Sequence, residues 1–145
     1  MSSIQRILCP VDFSDPSRVA LRYATELSKT LGASLEVMHA FQLPVYALPD
    51  GALMATPEMT ARISTDLGEA LRTLAEEEAP GAETFLVEGA PAAEVARLAE
   101  EHDSDLVVMG THGRTGLRHL LIGSVAERVV RTCPVPVLTV PSPSA

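Results

Sequence analysis

A chain of 145 residues is long enough for one domain with a substantial core, and with 46% hydrophobic and 21% charged residues it has the composition of a folded globular protein. A formal net charge of −8 and an aromatic content of only 3%, with no Trp, argue against a nucleic-acid partner, which calls for a basic face and rings on which to stack bases. No apolar run approaches the roughly 20 residues of a membrane span, and no leader pattern opens the chain, so the expectation is a cytoplasmic protein that engages no membrane.

The first apolar run, from Ile4 to Val11, reads as a strand. It contains Cys9, expected to be a buried reduced thiol; Cys133 lies far away in sequence, and the two make neither a CxxC pair nor a zinc-ligand cluster. Ser14 is suited to cap a first helix and Pro16 to sit in its first turn. Val19, Ala20, Tyr23, Ala24, Leu27 and Leu31 recur at helical spacing until Gly32, which can end the helix. The second strand spans Ser34 to Phe41, and its His39 reads as an ordinary strand-end residue.

From Gln42 to Ala55 runs the one long connection, with Pro44, Pro49 and Gly51, a surface loop able to act as a lid. Thr56-Pro57-Glu58 opens a second helix, with Ile63, Leu67, Ala70, Leu71 and Leu74 as its apolar stripe and Pro80-Gly81 as its stop. Glu76 to Glu78 reads as a solvated face of that helix. A third strand covers Glu83 to Val87. The third helix follows Gly89-Ala90-Pro91, directs Val95, Leu98 and Ala99 inward, and carries His102 near its C-terminus, where a cation is favourable. The fourth strand, Asp105 to Met109, is apolar through its centre, as expected of a strand covered on both faces. A fourth helix begins around Gly123-Ser124 and reaches about Thr132; a fifth strand covers Val135 to Val140, and residues 141–145 form a loose tail. Alternation of strand and helix argues for an α/β domain with a parallel sheet and helices on both faces.

The chemistry concentrates in residues 106–130, LVVMGTHGRTGLRHLLIGSVAERVV. Gly110 and Gly113 follow a buried strand, and Gly123 and Ser124 precede a helix. Glycines let backbone N–H groups approach a ligand, the helix start supplies unpaired N–H groups and partial positive charge, and the Ser124 hydroxyl can add a further hydrogen bond to a phosphate. No acid interrupts Gly110 to Gly123, whereas His112, Arg114, Arg118 and His119 do fall there, a local basic island in an acidic chain. The arrangement is neither a Walker P-loop nor a GxGxxG dinucleotide turn.

If the first and fourth strands are neighbours where the strand order reverses, Asp12 faces Gly110 across a crevice and can accept from an adenine amino group or a ribose hydroxyl; the competing role for Asp12 is to help cap the first helix. His112 in a phosphate loop reads as a hydrogen-bond donor more readily than as a general base, and His112 and His119 have no partners to complete a metal site.

These residues resemble the universal stress proteins. The nucleotide-binding members carry G-x2-G-x9-G-[ST], matched here by Gly110, Gly113, Gly123 and Ser124; ILCPVDFSDPS looks like the family's first strand and loop, VMHAF its second strand and PVPVLTV its last. The likeness runs from about Ile4 to Val140, within a single domain spanning 1–145. It implies a five-stranded, Rossmann-like open parallel sheet of order 3-2-1-4-5 with four helices on both faces. It implies a site in which Pro10, Val11 and Asp12 meet adenine and ribose and the main chain near Ala40 meets the base. Met109, Gly110, His112, Gly113 and Arg114 would line the ribose and phosphates, and Gly123, Ser124 and Val125 would hold the phosphates, with Mg²⁺ or Mn²⁺ alongside the nucleotide. It also implies a homodimer formed through the last strand, for which Val135, Val137 and Val140 suit an exposed apolar edge, although Pro136 removes one hydrogen-bonding position.

The function that follows is that of an ATP-binding (or AMP- or ADP-binding) stress-response or regulatory protein with little or no turnover. The alternatives are a slow ATP hydrolase and a dimeric interaction module with a vestigial nucleotide site. Related pyrophosphatase folds place SGGxDS after their first strand, where this chain reads PVDFSDP, which counts against transfer chemistry.

Overall fold

A computed structural model describes residues 3–43, 49–50, 56–112 and 122–142. In chain order the elements are β1 (Arg6–Pro10), α1 (Asp15–Leu31), β2 (Ser34–Phe41), α2 (Pro57–Glu78), β3 (Glu83–Glu88), α3 (Pro91–Glu101), β4 (Leu106–Gly110), α4 (Ser124–Thr132) and β5 (Val137–Val140). The strands pair in parallel in the order β3-β2-β1-β4-β5, as the resemblance implied.

Period-two alternation divides the core cleanly. Ile7 and Cys9 of β1, Leu35 and Val37 of β2, and Leu106 and Val108 of β4 face the layer of α1 and α2. Leu8, Met38, Val107 and Met109 face α3 and α4. Both faces of β1 and β4 are therefore covered, which is why these strands read as continuous apolar runs.

The first two helices start where their chemistry directs. The Ser14 side chain accepts from the Ser17 N–H at the start of α1, and Gly32, at φ 65°, ends it in the left-handed region. Thr56 caps α2 in the same way. Three apolar expectations fail on the helices. Tyr23 and Leu31 of α1 are exposed, because the inward stripe is Ser17, Ala20, Leu21, Ala24, Thr25 and Ser28, whose polar members satisfy themselves within the fold. Thr25 Oγ1, for example, lies 2.8 Å from the Leu21 carbonyl oxygen and 2.9 Å from that of Glu78. On α2, Ala70 faces solvent and Ala75 takes its place.

Nor is the acidic end of α2 wholly a solvated face. Glu78 is half-buried and receives the Arg22 guanidinium at 2.7 Å and 3.1 Å, which fastens α2 to α1 and holds the Glu78 carboxyl below its ordinary range. His102 stands at the C-cap of α3 as expected, with its ring Nδ1 3.0 Å from Glu36 of β2 and its edge against Phe85.

Strand limits move by a residue or two. β1 begins at Arg6 because the Asp105 carboxylate takes the amides of Gln5 and Arg6. β4 runs to Gly110, and β3 to Glu88. β5 starts at Val137, not Val135: Pro136 lends its carbonyl to Val107 but has no N–H of its own. Val140 is buried, and Val135 and Val137 pack partly inward against the α3/α4 layer, so these valines do not form the exposed apolar edge expected of them. Among the described residues no helix is long and apolar enough to cross a membrane. Most of the 42–55 connection, including ten residues of its candidate lid, lies outside the described residues, as do the last three residues of the tail.

Candidate functional site

From β1 the chain proceeds to β2 and β3 on one side of the sheet, and β4 and β5 lie on the other. The reversal of strand order thus falls between β1 and β4, and in open parallel sheets this leaves a crevice beyond the carboxyl ends of those strands. A cavity of about 320 Å³ occupies this position.

Its first wall is the exit of β1. The Val11 N–H donates to the Met38 carbonyl at 2.8 Å, the last bond between the two strands, after which the chain turns through Asp12, Phe13 and Ser14. Phe13 sits at φ 66°, a left-handed conformation that a non-glycine residue holds only when its surroundings require it. The Asp12 carboxylate accepts the Ser14 N–H at 3.0 Å and the Ser14 hydroxyl proton as well, while the Asp12 N–H donates to Ser17 Oγ at 3.3 Å. Asp12 thus braces the cap of α1 and at the same time lines the cavity.

The second wall comes from β2, which outruns β1 by three residues. Along a strand, the N–H and C=O of each residue point to one side and those of the next residue to the other. The Met38 carbonyl points toward β1, where Val11 uses it, and the Phe41 carbonyl points toward β3, where Gly89 uses it at 2.8 Å. Ala40, two residues after Met38, therefore directs its N–H and C=O to the side on which β1 has already ended. An adjacent donor and acceptor at the cavity suit the hydrogen-bonding edge of a base.

β4 and α4 form the third wall. Beyond Gly110, Thr111 is buried; its N–H donates to the Val140 carbonyl at 3.3 Å, and its own carbonyl accepts the N–H of Gly123. This bond brings the two ends of the glycine/serine segment together and sets the start of α4 beside the end of β4. α4 has Gly123 at its N-cap and no side-chain cap, and α3, whose Pro91 and Val95 also line the cavity, has none either. The first-turn N–H groups of α4 and the exposed Ser124 hydroxyl are thus available to an anion. His112 places its Nδ1 3.1 Å from Thr111 Oγ1.

Of the residues singled out in the sequence, Pro10, Val11, Asp12, Ala40, Met109, Gly110, His112, Gly123, Ser124 and Val125 all line this cavity. Gly113 and Arg114 lie outside the described residues, with Arg118 and His119. Sequence reasoning missed Met38, Thr111, Pro91 and Val95, and misjudged His39, which is in the cavity wall with its ring against Phe13. The available signal was positional: in a parallel sheet every strand end and every following helix start faces the same crevice side. Among the described residues no three His, Cys, Asp or Glu side chains gather to hold a metal.

Comparison with known proteins matches a family model described as "Universal stress protein family" over residues 3–141. Universal stress protein MJ0531 of Methanocaldococcus jannaschii is 35% identical over 141 residues, which cover 96% of this chain and 83% of that protein. The solved structure of the hypothetical protein MJ0577 superposes with a TM-score of 0.80 over 99% of this chain and 100% of its own, at 23% identity. A universal stress protein solved in complex with cAMP superposes with a TM-score of 0.72 at 27% identity, covering 96% of this chain and 98% of its own.

Proposed function

The chain belongs to the universal stress protein family, and we propose that its crevice binds an adenine nucleotide, ATP (or AMP or ADP), in a regulatory or stress-response role with little or no turnover. The observation that carries this reading is the convergence on one cavity of Asp12, the outward main chain of Ala40 and the uncapped start of α4 at Gly123 and Ser124. These supply an acceptor for ribose hydroxyls, a donor–acceptor pair for the base and an anion site for phosphates. The relative in complex with cAMP makes an adenine nucleotide the natural ligand class to test first.

Holding phosphates and breaking them require different groups. Asp12 is the cavity carboxylate among the described residues, and it is engaged in bracing Ser14, which leaves it poorly placed to activate a water. A divalent ion, Mg²⁺ or Mn²⁺, would be held chiefly by the nucleotide's own phosphate oxygens and would supply charge neutralisation there, with the Ser124 hydroxyl able to assist.

The test is direct. Purified protein is denatured and any released nucleotide identified by chromatography; ATP binding to the emptied, refolded chain is measured by calorimetry, with ADP production followed in parallel. Binding of about one nucleotide per chain with turnover far below once per second supports the reading. Turnover faster than about once per second would make the protein an ATP hydrolase, and absence of binding at millimolar ATP would leave an interaction module.

A cytoplasmic homodimer through β5 is part of the same proposal. β5 lies at the sheet edge, and the carbonyls of Pro136 and Val140 are used by Val107 and Thr111, so Val137 and Thr139 turn their main-chain groups to the open side. Thr139→Pro removes an outward donor without touching the ladder to β4. It should shift sedimentation toward monomer if a partner strand pairs there.

A further inference from the structure

The imidazole of His39 makes two contacts that no role as a bland strand-end residue explains. Its Nδ1 lies 2.7 Å from the carbonyl oxygen of Val11, and its ring packs at a tilt on the ring of Phe13, centroid to centroid 4.7 Å. A carbonyl oxygen only accepts, so Nδ1 carries the proton. Val11 and Phe13 flank Asp12, and Phe13 is the residue held in the left-handed conformation. One side chain on β2 therefore grips the β1 exit on both sides of the carboxylate that the proposed function assigns to the ribose.

The need for such a grip follows from the topology. β1 and β2 share a ladder as far as Pro10 and Met38, and the Val11 N–H makes one further bond to the Met38 carbonyl. Past that point the strands diverge, and the Val11 carbonyl has left the ladder. A partner on β2 gives it the bond that the ladder no longer supplies. His39 does so from a half-buried position in the cavity wall, with its ring filling the space beside Phe13.

We propose that His39 is a positioning residue of the nucleotide site: by holding the Val11 carbonyl through Nδ1 and the Phe13 ring through its face, it fixes the turn that presents Asp12 to the ligand. This rests on the nucleotide-binding reading for its functional consequence, while its structural half stands without any ligand. Two variants separate the two contacts. His39→Phe keeps a ring against Phe13 and loses the donor. His39→Asn places an amide N–H near the position of Nδ1 and loses the ring.

The experiment measures, for the wild-type chain and both variants, melting temperature, affinity for ATP, and the amide resonances of Asp12, Phe13 and Ser14 in the ligand-free protein; the wild-type ring is also observed by nitrogen-detected NMR. The expected result is a proton on Nδ1, and His39→Phe melting a few degrees below wild type for the Val11 carbonyl left without its donor, with displaced Asp12–Ser14 amides and roughly tenfold weaker binding because the turn no longer presents Asp12 correctly. His39→Asn is expected to recover most of both.

The proposal is overturned by an Nε2-protonated ring, by His39→Phe binding as tightly as wild type with unmoved amides, or by both variants losing affinity only in proportion to lost melting temperature. Should the wild-type chain bind no nucleotide, the functional reading fails by itself. The tautomer and the Asp12–Ser14 amides then decide whether His39 holds the turn.

Discussion

Gly110 backs directly onto Pro16: a Cβ built on Gly110 would come within 3.0 Å of the Pro16 carbonyl oxygen. The glycine that ends β4 is thus explained from within the fold, because the first turn of α1 docks on the end of β4 at a distance at which a Cβ fits only if the neighbour gives way. Gly110→Ala should cost about 1 kcal/mol, since the helix start must give by a few tenths of an ångström, and Gly110→Val roughly 1–3 kcal/mol as an overpacked buried position. Urea unfolding followed by circular dichroism reads both. An unchanged midpoint for Gly110→Val would mean that α1 yields freely, and the glycine would then have to be explained by the ligand alone.

Asp12 combines two duties that substitution can pull apart. Asp12→Asn keeps an oxygen to accept from Ser14 but loses the charge and places a donor where a ribose hydroxyl would be received. It should leave stability within about 0.5 kcal/mol, whereas Asp12→Ala should cost about 1 kcal/mol through the weakened cap of α1. Both should bind ATP roughly tenfold more weakly. Calorimetry and thermal unfolding on the same preparations check the pattern, and equal affinity of Asp12→Asn and wild type would confine Asp12 to its capping role.

Cys9 is fully buried in β1, and that burial pushes its thiol from 9.0 up to about 12. Above the ordinary value the unfolded chain loses this proton while the folded chain keeps it. The stability that depends on a neutral Cys9 is therefore complete below pH 9.0 and is lost as pH rises toward about 12. The difference in unfolding free energy between wild type and Cys9→Ala should shrink by roughly 2 kcal/mol between about pH 9 and about pH 10.5. With a thiol reagent at neutral pH, the half-buried Cys133 should react first and Cys9 only at the rate of unfolding. Two equal fast phases would contradict this.

Much of this fold was legible because its signals are local and repeated. Five apolar runs separated by helical stripes leave little choice but a parallel sheet, and Ser14 and Thr56 start their helices, and Gly32 ends one, where their chemistry says they should. The strand order was legible only through family resemblance, since nothing in the periodicity of β1 states that β4 is its neighbour. What was not legible follows from polar residues that change meaning on burial. Ser17, Thr25 and Ser28 interrupt an apolar stripe yet form the inward face of α1, so Tyr23 and Leu31 looked inward when they are not. His39 and Glu78 escaped for the same reason: each acts through a partner, Val11 or Arg22, that lies dozens of residues away. Thr111 escaped between two conspicuous glycines, although its carbonyl is what joins the segment's ends.

Ser124 offers the cleanest separation of the phosphate end from the base end. It is the first residue of α4, it is exposed, and its side chain caps nothing in the helix, whose N-cap is Gly123. Alanine is a better helix former than serine, so Ser124→Ala should fold at least as stably as wild type. If the hydroxyl donates to a phosphate oxygen, ATP should bind roughly tenfold or more weakly, the value of a hydrogen bond to a charged group, while adenosine, which has no phosphate, should bind as before. Paired titrations with ATP and adenosine make the comparison internal to one protein. Equal weakening of both would mean that the substitution disturbs the cavity as a whole. No weakening of either would move the phosphates away from the start of α4 and leave its unpaired N–H groups without the ligand assigned to them.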